Sequence, residues 1–138
     1  MLTVKWRSGM KFEAMPPSGH SFIMDGKPEV GAEGEGPSPV EALLCSAAGC
    51  SAMDVLSILE KKRQKVRAYW IEVEWERGPE GVWPRPVTAI TVRHHVQGED
   101  IDPVAVARAV ELSDTKYCTV IATLRSAPTV TSEFRIEP

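Results

Sequence analysis

Residues 38–62, "SPVEALLCSAAGCSAMDVLSILEKK", decide how the rest of the chain is read. Ser38 can cap a helix, Pro39 suits its first position, and Glu41 completes a Ser-x-x-Glu capping box. The pattern predicts a helix from there to about Lys65. Residues 42–59 are nearly free of charge, and their apolar side chains surround the helix instead of lining one stripe, which predicts burial on most sides. The small residues of "SAAGCSA" would let a neighbouring backbone come close. At about 18 residues the apolar run only touches the lower limit for a membrane span. Asp54, Gly49 and the serines at 46, 51 and 57 argue against that use. The basic run "KKRQK" at 61–65 reads as a solvated last turn favoured by the helix dipole.

Short β-rich runs surround this helix. "LTVKW" and "MKFEAM" are separated by "RSG", which predicts a hairpin with Gly9 in the turn and Arg7 at its tip or last strand position. "HSFIMDG" offers a third strand, and "KPEVGAEGEGPSP" is a connection without periodicity. Beyond the helix, "AYWIEVEWER" sets Tyr69, Ile71, Val73 and Trp75 against Glu72, Glu74 and Glu76, a half-buried strand with a charged outer face. "VTAITVRHHVQG" repeats the pattern, with Ile90, Val92, His94 and Val96 on one side. Asp102 and Pro103 open a second helix by the same cap-then-proline logic. "TKYCTVIATLRSA" continues it after a break at Ser113 and Asp114, and "TVTSEFRIEP" reads as a closing strand.

These elements predict an α+β fold, with antiparallel sheets wrapped around a long central helix in one domain spanning 1–138. A chain of 138 residues has difficulty covering such a helix alone, so a second copy is expected. The 43% hydrophobic and 25% charged composition is that of an ordinary soluble protein. A formal charge of −3 gives no basic face for nucleic acid. No secretory signal opens the sequence and the three cysteines are few and odd in number, so a reducing, cytoplasmic setting is expected.

Two of the three cysteines, Cys45 and Cys50, differ by about 140° around a helix, so they cannot bridge each other there. Cys45 reads as a small core residue. His94 and His95 point to opposite faces of a strand and do not form a metal pair; His94 reads as a hydrogen-bonded core residue. Trp6, Trp70, Trp75 and Trp83 read as packing on strand faces. Without a Cys-x-x-Cys pair, no zinc site is expected.

"SPVEALLCSAAGCSAMDVLSILEKK" together with the later "VELSDTKYCTVIATL" resembles the osmotically inducible protein C and organic hydroperoxide resistance (OsmC/Ohr) family, in particular its less characterised branch. The resemblance covers nearly the whole chain. It implies an intertwined homodimer that acts as a thiol peroxidase without metal or organic cofactor; the charge and the composition of the long helix already speak against nucleic-acid and membrane partners. The family's peroxide-attacking cysteine, eleven positions after the proline of the helix opening, falls on Cys50. Its resolving cysteine falls on Cys118, and its thiolate-supporting arginine on Arg7. Cys45 has no counterpart. The implied cycle runs from a Cys50 sulfenic acid to a Cys50–Cys118 disulfide, reset by an external thiol such as a dihydrolipoyl group.

Active members carry a glutamate directly after that proline, where this chain has Val40. Glu41 falls about 180° from Cys50 and reads first as the capping-box residue. Asp54, one turn beyond Cys50, either pairs with an arginine or meets a structural partner on another element. The alternative function is a non-enzymatic member of the fold that binds a small apolar ligand or serves structurally, and it expects Cys50 and Cys118 to lie out of bridging reach.

Overall fold

A computed structural model describes all residues, Met1–Pro138. Its chain divides into two compact units, Met1–Ser46 and Ala47–Pro138. In the first, β1 (Thr3–Ser8), β2 (Lys11–Met15) and β3 (Phe22–Met24) form an antiparallel sheet in that order. The β1–β2 hairpin turns at Gly9, whose φ of +49° is one that a side chain would oppose. The connection after β3 contains one short 3₁₀ turn, Pro28–Val30.

Helix α1, Pro39–Lys61, begins as its sequence requires. Glu41 N–H donates to Ser38 Oγ and Ser38 N–H donates to Glu41 Oε2, so both halves of the capping box form. The Ser38 backbone bond holds the Glu41 carboxyl below the usual glutamate value. The helix stops short of the predicted Lys65. Arg63 adopts a left-handed φ of +57°, which ends the helical turn, and Lys65 already belongs to the next strand.

In the second unit, β4 (Lys65–Arg77) and β5 (Val87–Glu99) form an antiparallel ribbon, and α2 (Pro103–Leu112) follows with Asp102 as its cap. Gly98 sits where the ribbon begins, and a Cβ there would overlap the Lys65 carbonyl oxygen. After α2 the chain widens into a π turn, Ser113–Tyr117, becomes extended at Cys118, and resumes as α3 (Thr119–Ser126).

The core of this unit is Val55 and Leu59 of α1 against Ala109 of α2, flanked by Val66, Tyr69 and Val96 of the ribbon. The outer face of the ribbon is charged as expected, with Arg93 donating to Glu74 and His95 stacked on Trp70 beside Glu72.

The single chain meets other expectations only in part. Burial of α1 is one-sided within one chain: Leu44, Ala47, Ser51, Val55 and Leu59 form a buried stripe, while Leu43, Met53 and Leu56 are exposed. Cys45 lies off that stripe and is exposed, so it is not a core residue here. Trp83 sits in the loop between β4 and β5 and is 77% exposed, so it packs on no strand face; Trp6, Trp70 and Trp75 do lie on strands, Trp70 stacked on His95, but all three stay exposed. The last twelve-residue stretch, 127–138, forms no strand, since no strand of its own chain pairs with it; Val130, Phe134 and Ile136 are left exposed.

Leu59 is fully buried where α1, α2 and the ribbon meet. Leu59→Ala should therefore cost about 2–5 kcal/mol, read as a fall in the urea midpoint at unchanged slope. A change under about 0.5 kcal/mol would show that this contact is not the core of the unit.

Candidate functional site

Cys50 lies beside the buried stripe of α1, and Asp54 follows one turn later, so both project from nearly the same side of the helix. Cys118 arrives from the other half of the chain, where the π turn after α2 opens into the extended residue that heads α3. The two sulfurs and a carboxylate oxygen of Asp54 all lie within 4.8 Å of one another. Cys118 is 3% exposed and Cys50 is half-buried.

Ser113 fixes both sides of this cluster. Its carbonyl accepts the Cys118 N–H at 2.9 Å, and its hydroxyl donates to Asp54 Oδ2 at 3.2 Å. The turn that delivers Cys118 is thus tied to the carboxylate that faces it.

Burial pushes the Cys118 thiol above the usual cysteine value. The Ile121 backbone N–H opposes this, while the adjoining Cys50 thiol and the Asp54 charge reinforce it. A protonated, buried thiol next to a half-buried one suits a resolving cysteine better than an attacking one.

Beside Asp54 opens a cleft of about 330 Å³, walled by Ile58, Leu112 and Tyr117 and lined also by Ser57, Lys61 and Lys62. Cys50, Cys118 and Asp54 are also the groups that could hold a soft divalent ion, offering two sulfurs and one oxygen of the four ligands a zinc site takes.

Arg7 belongs to the N-terminal unit. There its Nε donates to Glu13 Oε2 of β2 at 2.7 Å and its Nη2 contacts the same oxygen. The arginine therefore has a carboxylate partner on its own hairpin, Glu13. Glu41 is held in the helix cap, as its spacing predicts.

Asp54 has the interhelical partner that the sequence left open, and it is a serine and not an arginine. His94 is hydrogen-bonded as expected, between Tyr69 and Ser51, but it is half-buried and not a core residue.

Sequence reasoning missed Ser51 and Ser113, both fully buried. The first had a signal: a serine on the stripe that also carries Ala47 and Val55 must find a partner once buried. The second had none, because nothing in "VELSDTKYC" announces that its serine reaches α1.

The OsmC-like protein family matches residues 32–133 of the chain. Protein YhfA of Escherichia coli (strain K12) is 41% identical over 133 residues, covering 96% of this chain and 95% of YhfA. Among solved structures, a hypothetical protein of Aquifex aeolicus superposes with a TM-score of 0.73 at 28% identity, over 91% of this chain and 86% of that one. The Legionella pneumophila organic hydroperoxide resistance protein OsmC shares the fold, with a TM-score of 0.61 at 16% identity over 91% and 90% of the two chains. Antiparallel sheets with a long central helix, a family match over most of the length, and a relative similar across nearly all of both chains agree: this chain belongs to the OsmC-like protein family.

Proposed function

We propose that this protein is a thiol peroxidase that reduces organic hydroperoxides through Cys50 and Cys118. The observation that carries the reading is the meeting of these two sulfurs, from distant parts of the chain, within 4.8 Å. A disulfide bond of about 2.05 Å then needs a movement of about 2–3 Å at most, not a refolding. The non-enzymatic alternative expects the thiols beyond bridging reach, and their proximity speaks against it.

In the proposed cycle the Cys50 thiolate attacks the outer peroxide oxygen. The O–O bond breaks, an alcohol leaves after taking a proton, and Cys50 becomes a sulfenic acid. Cys118 then condenses with it, releasing water. An external dithiol of dihydrolipoyl type reduces the disulfide and returns both thiols. Arg7 is the cation assigned to support the thiolate, oriented by Glu13. The apolar side chains of Ile58 and Leu112 in the cleft beside Asp54 suit an organic hydroperoxide better than hydrogen peroxide.

We assign the active form to a homodimer in which 1–138 acts as one OsmC-like domain in the reducing cytoplasm. Two exposed apolar sets support a second copy: Leu43, Met53 and Leu56 on α1, and Val130, Phe134 and Ile136 in the tail. The tail keeps a strand-like sequence with no partner strand in its own chain, as a segment exchanged between copies would.

Free-thiol titration tests the reaction. One equivalent of cumene hydroperoxide should remove two thiols per chain in the wild type and in Cys45→Ser, and none in Cys50→Ser within the same time. Full retention of thiols in the wild type with every hydroperoxide tried would end the reading.

The raised Cys118 thiol gives a second expectation. Because its protonated form is favoured in the fold, alkylation of reduced protein at pH 7 should label Cys45 and Cys50 before Cys118, which should catch up only as pH rises past the usual cysteine range. Peptide mass spectrometry reads the order, and early labelling of Cys118 would contradict it. For the dimer, Phe134→Asp with Ile136→Asp should lower the sedimentation mass toward one chain, whereas an unchanged mass would remove the tail from the interface.

A further inference from the structure

A run of hydrogen bonds ends on the Asp54 carboxylate, and the two-cysteine cycle above makes no use of it. Ser113 donates to Asp54 Oδ2 at 3.2 Å, and Ser51 Oγ lies 3.2 Å from Ser113 Oγ. On its other side Ser51 Oγ is 3.5 Å from His94 Nε2, and His94 Nδ1 is 2.6 Å from the Tyr69 hydroxyl. Tyr69 on β4 and His94 on β5 are diagonal neighbours on the apolar face of the ribbon, so the run crosses from the sheet to α1 and on to the end of α2.

Chemistry gives this run one direction. A carboxylate only accepts, so the Ser113 hydrogen is committed to Asp54 and its oxygen accepts from Ser51. The oxygen of Ser51 then accepts from His94 Nε2–H. A neutral imidazole carries one N–H, so Nδ1 accepts from Tyr69. Burial holds His94 below the usual histidine value and pushes the Tyr69 phenol up to about 12, so near neutral pH both groups are in the forms this order needs. Every donor in the series therefore points toward Asp54.

At that end stand the two thiols, within 4.8 Å of the carboxylate. The Cys118 thiol, buried and protonated, must lose its proton while its sulfur attacks, and a group placed to accept that proton is what the condensation otherwise lacks. We propose that Asp54 is the proton-transfer residue of the disulfide-forming step, and that Ser113, Ser51, His94 and Tyr69 are positioning residues that hold its carboxylate against the two thiols. The proposal rests on the thiol-peroxidase reading.

The step balances without any further reactant. Cys118 S–H gives its proton to Asp54 as its sulfur bonds to the Cys50 sulfur. The S–O bond of the sulfenic acid breaks, and Asp54 returns the proton to the departing hydroxide as water. Cys118 is oxidised and the sulfenic acid reduced. Asp54 ends as it began.

The groups near Asp54 that could also shape a pH profile are Cys50 on α1, Lys61 and Lys62 lining the same cleft, and Cys118 and Tyr117 of the segment after α2. Asp114 acts on the series through His94.

The test follows the two steps separately in full-length, reduced Cys45→Ser protein. One equivalent of cumene hydroperoxide is added and the reaction quenched at intervals from pH 6 to 9. Mass spectrometry then quantifies the dimedone-trapped Cys50 sulfenic acid and the Cys50–Cys118 disulfide. Asp54→Asn should form sulfenic acid no more slowly than the parent but close the disulfide about a hundredfold more slowly at pH 7. That deficit should shrink toward pH 9, as the small ionised fraction of Cys118 grows with each pH unit, and Asp54→Glu should recover part of the rate. Tyr69→Phe and His94→Gln should slow closure at pH 7 by about tenfold or less, with the same recovery at high pH. Should Asp54→Asn not fold, Ser113→Ala, which keeps the carboxylate, should show the same split between steps.

Closure in Asp54→Asn at the parent rate, or a deficit equal at every pH, overturns this proposal and leaves the peroxidase reading standing. Absence of both sulfenic acid and disulfide in the parent protein overturns the reading, and the proposal with it.

Discussion

One face of α1 has to serve as core and as polar scaffold at once. Within the second unit Ala47, Val55 and Leu59 bury it, yet Ser51 lies on the same stripe and is fully buried. A buried hydroxyl without partners costs about 1–3 kcal/mol. The elements that close over α1 must therefore bring acceptors and donors as well as apolar surface. The ribbon brings His94 and the end of α2 brings Ser113. No buried side-chain polar atom of the chain is left without a hydrogen-bond partner. The placement of Cys50 and Asp54 follows from it, since they flank Ser51 along the helix and cannot move without it.

The break after α2 follows from the same constraint. A regular helix through Ser113–Tyr117 would carry Cys118 onward in helical geometry, but the chain widens to a π turn and Cys118 becomes extended, with ψ of 102°. Such wide turns cluster at functional sites because they re-aim one residue without ending the packing around it. Here the aim is set by one residue: Ser113 holds the Cys118 amide with its carbonyl and Asp54 with its hydroxyl. The sulfur and the carboxylate are thereby referred to the same point of the backbone.

Local chemistry made much of this legible in the sequence. The capping box at Ser38 and Glu41, the Asp102 cap, the Gly9 turn and most of the alternation along both long strands depend on neighbours a few residues apart and formed as read. Arg7, however, lies inside β1, which runs on to Ser8, and Trp75 is exposed on the face read as apolar. The end of α1 was misplaced because "KKRQK" satisfies helix propensity, whereas the left-handed Arg63 answers to the start of β4. One chain covers α1 on one side only, and the apolar residues left over, Leu43, Met53 and Leu56, are the kind of surface for which the sequence expected a second copy. The Cys50–Cys118 meeting came from family resemblance, not from spacing. Asp54 could be placed beside Cys50 by helical geometry alone, but its Ser113 partner is a tertiary fact with no local signature.

The buried serines are hard to account for by stability. Replacing both partners of a buried hydrogen bond with apolar groups of similar shape is nearly neutral, while removing one strands the other. An alanine at 51 and another at 113 would give the stripe a continuous apolar row, and His94 opposite could be apolar as well. Fully satisfied polar networks do contribute rigidity and a unique arrangement, and they lose that value as soon as one member is missing. This network terminates on the one carboxylate that stands beside two thiols, and its donors all run toward it. A scaffold needed only for folding has no reason to end there. One whose task is to hold an anion at a fixed distance from a pair of sulfurs does, and the polar row through the core of α1 is then the structural consequence of that task.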